Sequence, residues 1–164
     1  MQARHIKHPF PPVVDKDCNI LILGSVPSVK SVEENFYYGH PQNRFWKVLS
    51  SILREDFVLY EQPQKIEKRK SLLLKHHIAL YDSVEECDIL GSNDAHISNV
   101  IPADIEGIIK DTKISKIFCN GATSFKYFAK YHPTLSATLL PSTSPANANW
   151  TLEKLVDAWR IIVE

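Results

Sequence analysis

The sequence has no apolar run long enough to cross a bilayer, no net charge, no closely spaced cysteine pair and no glycine-rich nucleotide loop. Each absence removes a class of function. A membrane span needs about 20 consecutive apolar residues, and runs such as Asn19-Ile-Leu-Ile-Leu-Gly24 fall far short. The basic start, Met1 to His8, leads into Pro9-Phe-Pro-Pro12, where a signal peptide needs an apolar stretch and a small-residue cleavage site, so a cytoplasmic protein with no membrane partner is expected. The three cysteines, Cys18, Cys87 and Cys119, are odd in number and far apart, with no histidine at zinc spacing, which reads as buried free thiols. Lysine plus arginine balance aspartate plus glutamate at 19 each, which argues against strong non-specific polyanion binding but leaves room for local basic patches. Gly24-Ser-Val-Pro-Ser28 follows a strand-like run, yet has neither dinucleotide-loop glycine spacing nor the Gly-Lys-Ser/Thr of a P-loop.

What is present is an ordinary globular composition, 44% hydrophobic and 23% charged over 164 residues. That supports one domain over residues 1–164, with residues 1–17 as an N-terminal extension. Asn19–Gly24, Lys116–Asn120, Ala137–Pro141 and, more weakly, Ile78–Tyr81 are near-continuously apolar, as strands covered on both faces are. Helical spacing joins Phe45, Val48, Leu49 and Ile52, and again Leu152, Leu155, Val156 and Trp159, with a shorter stripe at Phe125, Phe128 and Ala129. Alternation of the two predicts an α/β fold with three α/β/α layers around a central, mostly parallel four-stranded sheet. The basic stretch Glu61 to His77 reads as the solvated face of a surface helix.

Sites in such sheets lie beyond the carboxyl ends of the strands. The loops there are Gly24–Ser28, Asp82–Val84, Asn120–Thr123 and Pro141–Asn147, all rich in small and polar residues. A further segment, Asn35 to Trp46, gathers aromatics, a histidine, an amide and an arginine around Gly39 and Pro41. Phe45 and Trp46 belong to the core, whereas Tyr37 and Tyr38 are either half-buried aromatics or a platform for a flat ligand. Asn43 suits a helix N-cap, a catalytic amide, or both. His40 is either structural or a titrating group, Asn120 either a turn residue or a reader of a polar edge, and Trp150 is expected to be buried. The remaining histidines show no partner in the sequence pattern.

Gly24-Ser-Val-Pro-Ser28, Tyr38-Gly-His-Pro-Gln-Asn-Arg-Phe-Trp-Lys-Val48, Leu140-Pro-Ser-Thr-Ser-Pro-Ala-Asn147 and Leu152-Glu-Lys-Leu-Val156 occur in this order from about residue 18 to the end. Together they resemble the uracil-DNA glycosylase superfamily, more closely its hypoxanthine-DNA (deoxyinosine) branch than its mismatch-specific uracil/thymine branch. The latter carries an asparagine that orients water where this chain has Val26, and other branches carry His-Pro-Ser or Asn-Pro-Ser where this chain reads Ser144-Pro-Ala146. Valine cannot hold a water. The resemblance therefore implies Asn43 as the residue that positions water, with Asn120 and His40 as further catalytic candidates. It implies base contacts from Tyr38, Tyr37, Asp82 and the backbone near Ser25 and Val26. Ser28, Ser142, Ser144, Pro145, Asn147 and Asn149 would meet DNA, the last four in a loop that enters the duplex.

The implied activity is a monofunctional DNA glycosylase that removes deaminated bases, hypoxanthine first, from double-stranded DNA, as a monomer and with no metal or organic cofactor. The alternatives are a mismatch-directed uracil/thymine glycosylase, a non-catalytic binder of damaged DNA, and a hydrolase of free nucleosides.

Overall fold

The computed structural model describes residues 3–58, 64–90 and 96–164. Its centre is the expected sheet. Strands β2 (Ile20–Gly24), β3 (Ile78–Asp82), β6 (Lys116–Asn120) and β7 (Thr138–Leu140) are ordered β3-β2-β6-β7, and every pairing is parallel. All five residues of β2 and all five of β3 are buried, which is why neither segment alternates. The predicted strand boundaries stand within one or two residues of those found.

Helices α1 (Val29–Glu34), α2 (Phe45–Leu53), α3 (Gln64–Lys75), α4 (Ile105–Ile109), α5 (Ala122–Tyr131) and α6 (Leu152–Trp159) make the outer layers of the α/β/α arrangement. α2 and α6 pack together, and Phe45, Leu49, Leu155 and Trp159 fill the core between them and the sheet. Trp46 is stacked between Phe36 and Phe57 at 5.8 and 5.6 Å, and the Arg69 guanidinium lies 4.5 Å above its ring. Arg69 corrects the reading of the basic stretch as wholly solvated: it is buried and donates to the Phe57 carbonyl at 2.8 Å. Burial lowers its pKa to about 10. Glu61 to Pro63 of that stretch lie outside the described residues.

A second sheet, three-stranded and antiparallel, stands where the sequence pattern predicts none. It comprises β1 (Ala3–Lys7), β4 (Val84–Leu90) and β5 (Ile97–Pro102), in the order β1-β4-β5, and covers the far side of α5. Phe128 of α5 joins the main core, while Tyr127 packs with Ile6, Val84, Cys87 and Ile89 in a smaller one. The register slips twice along β4, on either side of Glu86. Val84 and Cys87 are thus buried three residues apart, and the two-residue period that announces a half-buried strand is broken.

Cys18, Cys87 and Cys119 are buried free thiols. Burial pushes Cys18 and Cys119 up to about 11, so neither is a nucleophile near neutrality. Among the described residues no helix is long and apolar enough to cross a membrane.

Candidate active site

A cavity of about 900 Å³ opens at the carboxyl ends of β2, β3, β6 and β7. Each strand ends in a residue or loop the cavity uses: Gly24 to Ser28 after β2, Asp82 ending β3, Asn120 to Thr123 at β6, and Leu140 to Ser144 at β7. Arg4 and Ile89 of the second sheet supply another wall. Among the described lining residues, Asp82 is the only acid and Arg4 the only full positive charge.

Two carboxamides on one wall are joined by a residue that sequence reasoning passed over. Thr143 is fully buried. Its Oγ1 accepts from Asn120 Nδ2 at 3.0 Å and donates to Asn43 Oδ1 at 2.8 Å, while its backbone N–H donates to Asn120 Oδ1 at 3.0 Å. Asn43 Oδ1 also accepts the Phe45 N–H at 2.9 Å. A backbone N–H can only donate, so this bond fixes which end of the amide is oxygen. Both lone pairs of Oδ1 are engaged, and the Nδ2 donor is the polar end left for the cavity.

Arg44 is the N-cap residue of α2, but its side chain makes no cap bond; Asn43, one position earlier, receives the first helical N–H. Arg44 instead reaches across to the loop after β7. Its guanidinium donates to the carbonyls of Ser144 at 2.9 Å, Asn147 at 3.1 Å and Trp150, and its backbone N–H donates to Thr143 O at 3.1 Å. Asn147 Nδ2 adds a bond to Ser142 O at 3.0 Å, and the Ser142 and Ser144 hydroxyls accept N–H groups two residues ahead. The loop is therefore held from within and from α2.

Gly24 and Gly121 are both required by the space around them. A Cβ at Gly24 would sit 2.3 Å from Asp82 Oδ1 and 2.9 Å from Tyr38 Oη, so both polar atoms crowd over the end of β2. Gly121 has φ +94° and lies against Ser142, the conformation an Asn-Gly turn needs. Gly24→Ala is expected to displace Asp82 or Tyr38, costing about 1–3 kcal/mol in thermal unfolding as overpacking does, together with most of the activity.

Of the aromatic candidates, Tyr38 is half-buried on the cavity wall, with φ +52° and its ring 4.0 Å from that of Phe45. Tyr37 also edges the cavity, but it is 2% exposed and donates its hydroxyl to Pro11 O at 2.9 Å. Its rings of contact with Phe10, Phe36 and Tyr81 make it a core residue, a correction to its reading as a stacking platform. Burial, aided by the nearby Asp82 charge, pushes its hydroxyl well above the usual tyrosine range.

His40 is exposed and does not line the cavity; its Nδ1 accepts the Gln42 N–H at 3.1 Å, which makes it a turn residue. Pro145 and Asn149 also lie off the cavity wall, whereas Ser25, Val26, Ser28, Ser142, Ser144 and Asn147 line it. Ser28 caps α1, accepting from Ser31 N at 3.1 Å. Trp150 is half-buried at the rim instead of enclosed. The expectation that the other histidines lack partners is corrected most sharply at His8, whose Nε2 lies 2.7 Å from Asp82 Oδ2.

Comparison with known proteins matches this chain to one family over nearly its whole length. The model of the uracil DNA glycosylase superfamily matches residues 11–162. A relative named hypoxanthine DNA glycosylase, from Methanosarcina barkeri, is 34% identical over 148 residues, covering 86% of this chain and 88% of the relative. Another of the same name, from Methanosarcina acetivorans, is 32% identical over 152 residues, covering 89% and 91%. A solution NMR structure from Methanosarcina acetivorans, provisionally described as a uracil DNA glycosylase, superposes with a TM-score of 0.77 at 28% identity, covering 94% of this chain and 97% of that one.

Proposed function

The chain belongs to the uracil DNA glycosylase superfamily, and from that footing we propose that it is a monofunctional DNA glycosylase acting on deaminated bases, hypoxanthine before uracil. The observation that carries this reading is the pairing of Asn43 and Asn120 through Thr143 on the wall of a cavity that also presents Tyr38. A glycosylase must take its target out of the stack, and a base in a mismatch, such as hypoxanthine opposite thymine, leaves more readily than a matched one. The extruded base stacks on Tyr38. Asn120, already committed to Thr143, keeps one amide hydrogen and one lone pair, and an amide with both matches a lactam edge.

Asn43 presents Nδ2 to the oxygen of the attacking water and holds it near C1′ as the sugar acquires oxocarbenium character. Backbone groups around Ser25 and Val26 receive charge on the departing base. The loop from Ser142 to Asn149, fastened by Arg44, meets the DNA around the vacated position, and Ser28 contacts the backbone on the other side. No residue here requires a metal or an organic cofactor for this chemistry.

The experiment is a panel of otherwise identical duplexes carrying hypoxanthine, uracil, xanthine or mismatched thymine. Abasic product is expected fastest from hypoxanthine. Faster release of uracil or thymine would reverse the substrate order. Lesion binding with no abasic product on any duplex would make the chain a binder of damaged DNA.

A further inference from the structure

Hydrolysis of a glycosidic bond needs somewhere to put a proton of the attacking water, and the two amides cannot take it. A carboxamide is not a base near neutrality, Asn43 Oδ1 is in addition fully engaged, and Val26 is apolar. His40 lies outside the cavity. Among the described lining residues one ordinary base remains, the carboxylate of Asp82, and the structure gives it a buried partner, His8.

Asp82 is 4% exposed. Its Oδ2 accepts from His8 Nε2 at 2.7 Å, and the His8 side chain is fully buried. The imidazole is clamped between Tyr81, 4.3 Å away, and the edge of Phe10, at 4.7 Å. Its other nitrogen, Nδ1, is buried and has no hydrogen-bond partner among the described residues. An unmet buried polar atom costs about 1–3 kcal/mol, so a histidine placed here with its side-chain hydrogen bond on Asp82 points to a task beyond packing. With Oδ2 held, Oδ1 is turned toward Gly24, at the end of β2 where the cavity begins.

We propose that Asp82 is the general base of this site and that His8, from the segment before β2, is its positioning residue; the inference rests on the glycosylase reading above. Water oxygen forms its bond to C1′ as the C1′–N9 bond breaks, the bonding pair leaving with the purine. The water proton passes to Asp82 Oδ1 and then to a ring nitrogen of the departing base, which restores the carboxylate. Before proton transfer, the same negative charge faces the developing sugar cation and stabilises it.

Single-turnover excision from a hypoxanthine duplex, measured beside duplex affinity and thermal unfolding, tests this. Asp82→Asn keeps the shape and loses the basicity, and is expected to slow excision about 10²-fold with duplex affinity little changed. Asp82→Ala is expected to be equally slow and to regain rate in added formate, which a purely structural role would not allow. His8→Phe keeps the stacking and frees Oδ2, and is expected to be about tenfold slower through misplacement of the carboxylate. A folded Asp82→Asn that excises at the wild-type rate overturns the assignment. Should that variant fail to fold, a folded His8→Phe with wild-type rate overturns it instead. If wild-type protein excises no base from any duplex, the glycosylase reading itself fails; wild-type activity with unaffected variants removes only Asp82 and His8.

Discussion

Asn43→Ser is expected to fold normally and to excise hypoxanthine about 10²–10³-fold more slowly than wild type, the loss typical of removing one preorganised donor. Serine is a good acceptor for a first-turn N–H, so the bond now made to Phe45 N survives the change. What disappears is Nδ2, the donor that faces the cavity, together with the reach to Thr143. Asn43→Ala separates the contributions: it removes cap and donor together and adds about 0.5–2 kcal/mol of lost stability. Melting temperature and single-turnover rate, measured on both variants, give two independent axes. If Asn43→Ser cuts at the wild-type rate, Asn43 serves only the helix, and the wall reduces to Asn120 and Thr143.

The main sheet was legible because β2, β3 and β6 are enclosed on both faces, so burial wrote itself as unbroken apolar runs. The smaller sheet was not. Its strands bury one face only, β1 contributes a single core residue, Ile6, and β4 slips register around Glu86. Among the cavity-lining residues, those legible in sequence were Asn43, Tyr38 and the loop after β7, in family-like motifs, and Asn120, in an Asn-Gly turn at a strand end. Thr143 sat inside one of those motifs and carried no signal of its own, since a threonine between two serines reads as an ordinary loop. Nothing local could reveal His8. Its partner is 74 positions away, and the contact exists only because residues 8–13 run beside β3, where Val13 bridges to Leu80.

The same long-range logic gives Arg44 the largest expected effect on stability. In sequence it is one letter between Asn43 and Phe45; in space it fastens a loop 100 to 106 residues away. Its guanidinium serves three carbonyls, of Ser144, Asn147 and Trp150, and its planar fork is the side chain suited to such a set. Arg44→Met keeps much of the apolar stem and leaves those acceptors without their donor. Unmet acceptors at about 1–3 kcal/mol each, partly relieved by water at the rim, predict a loss of roughly 2–4 kcal/mol. For a chain of this length that lowers the melting temperature by roughly 4–16 °C. Arg44→Lys should fall between, because an ammonium is a point donor that cannot span all three carbonyls. Thr143 is carried by this loop and in turn orients Asn43, so excision should fall with loop order even though Arg44 does not line the cavity. An Arg44→Met protein that melts at the wild-type temperature would show that the loop after β7 is held by its internal bonds, Asn147 to Ser142 foremost, and that the two motifs act independently.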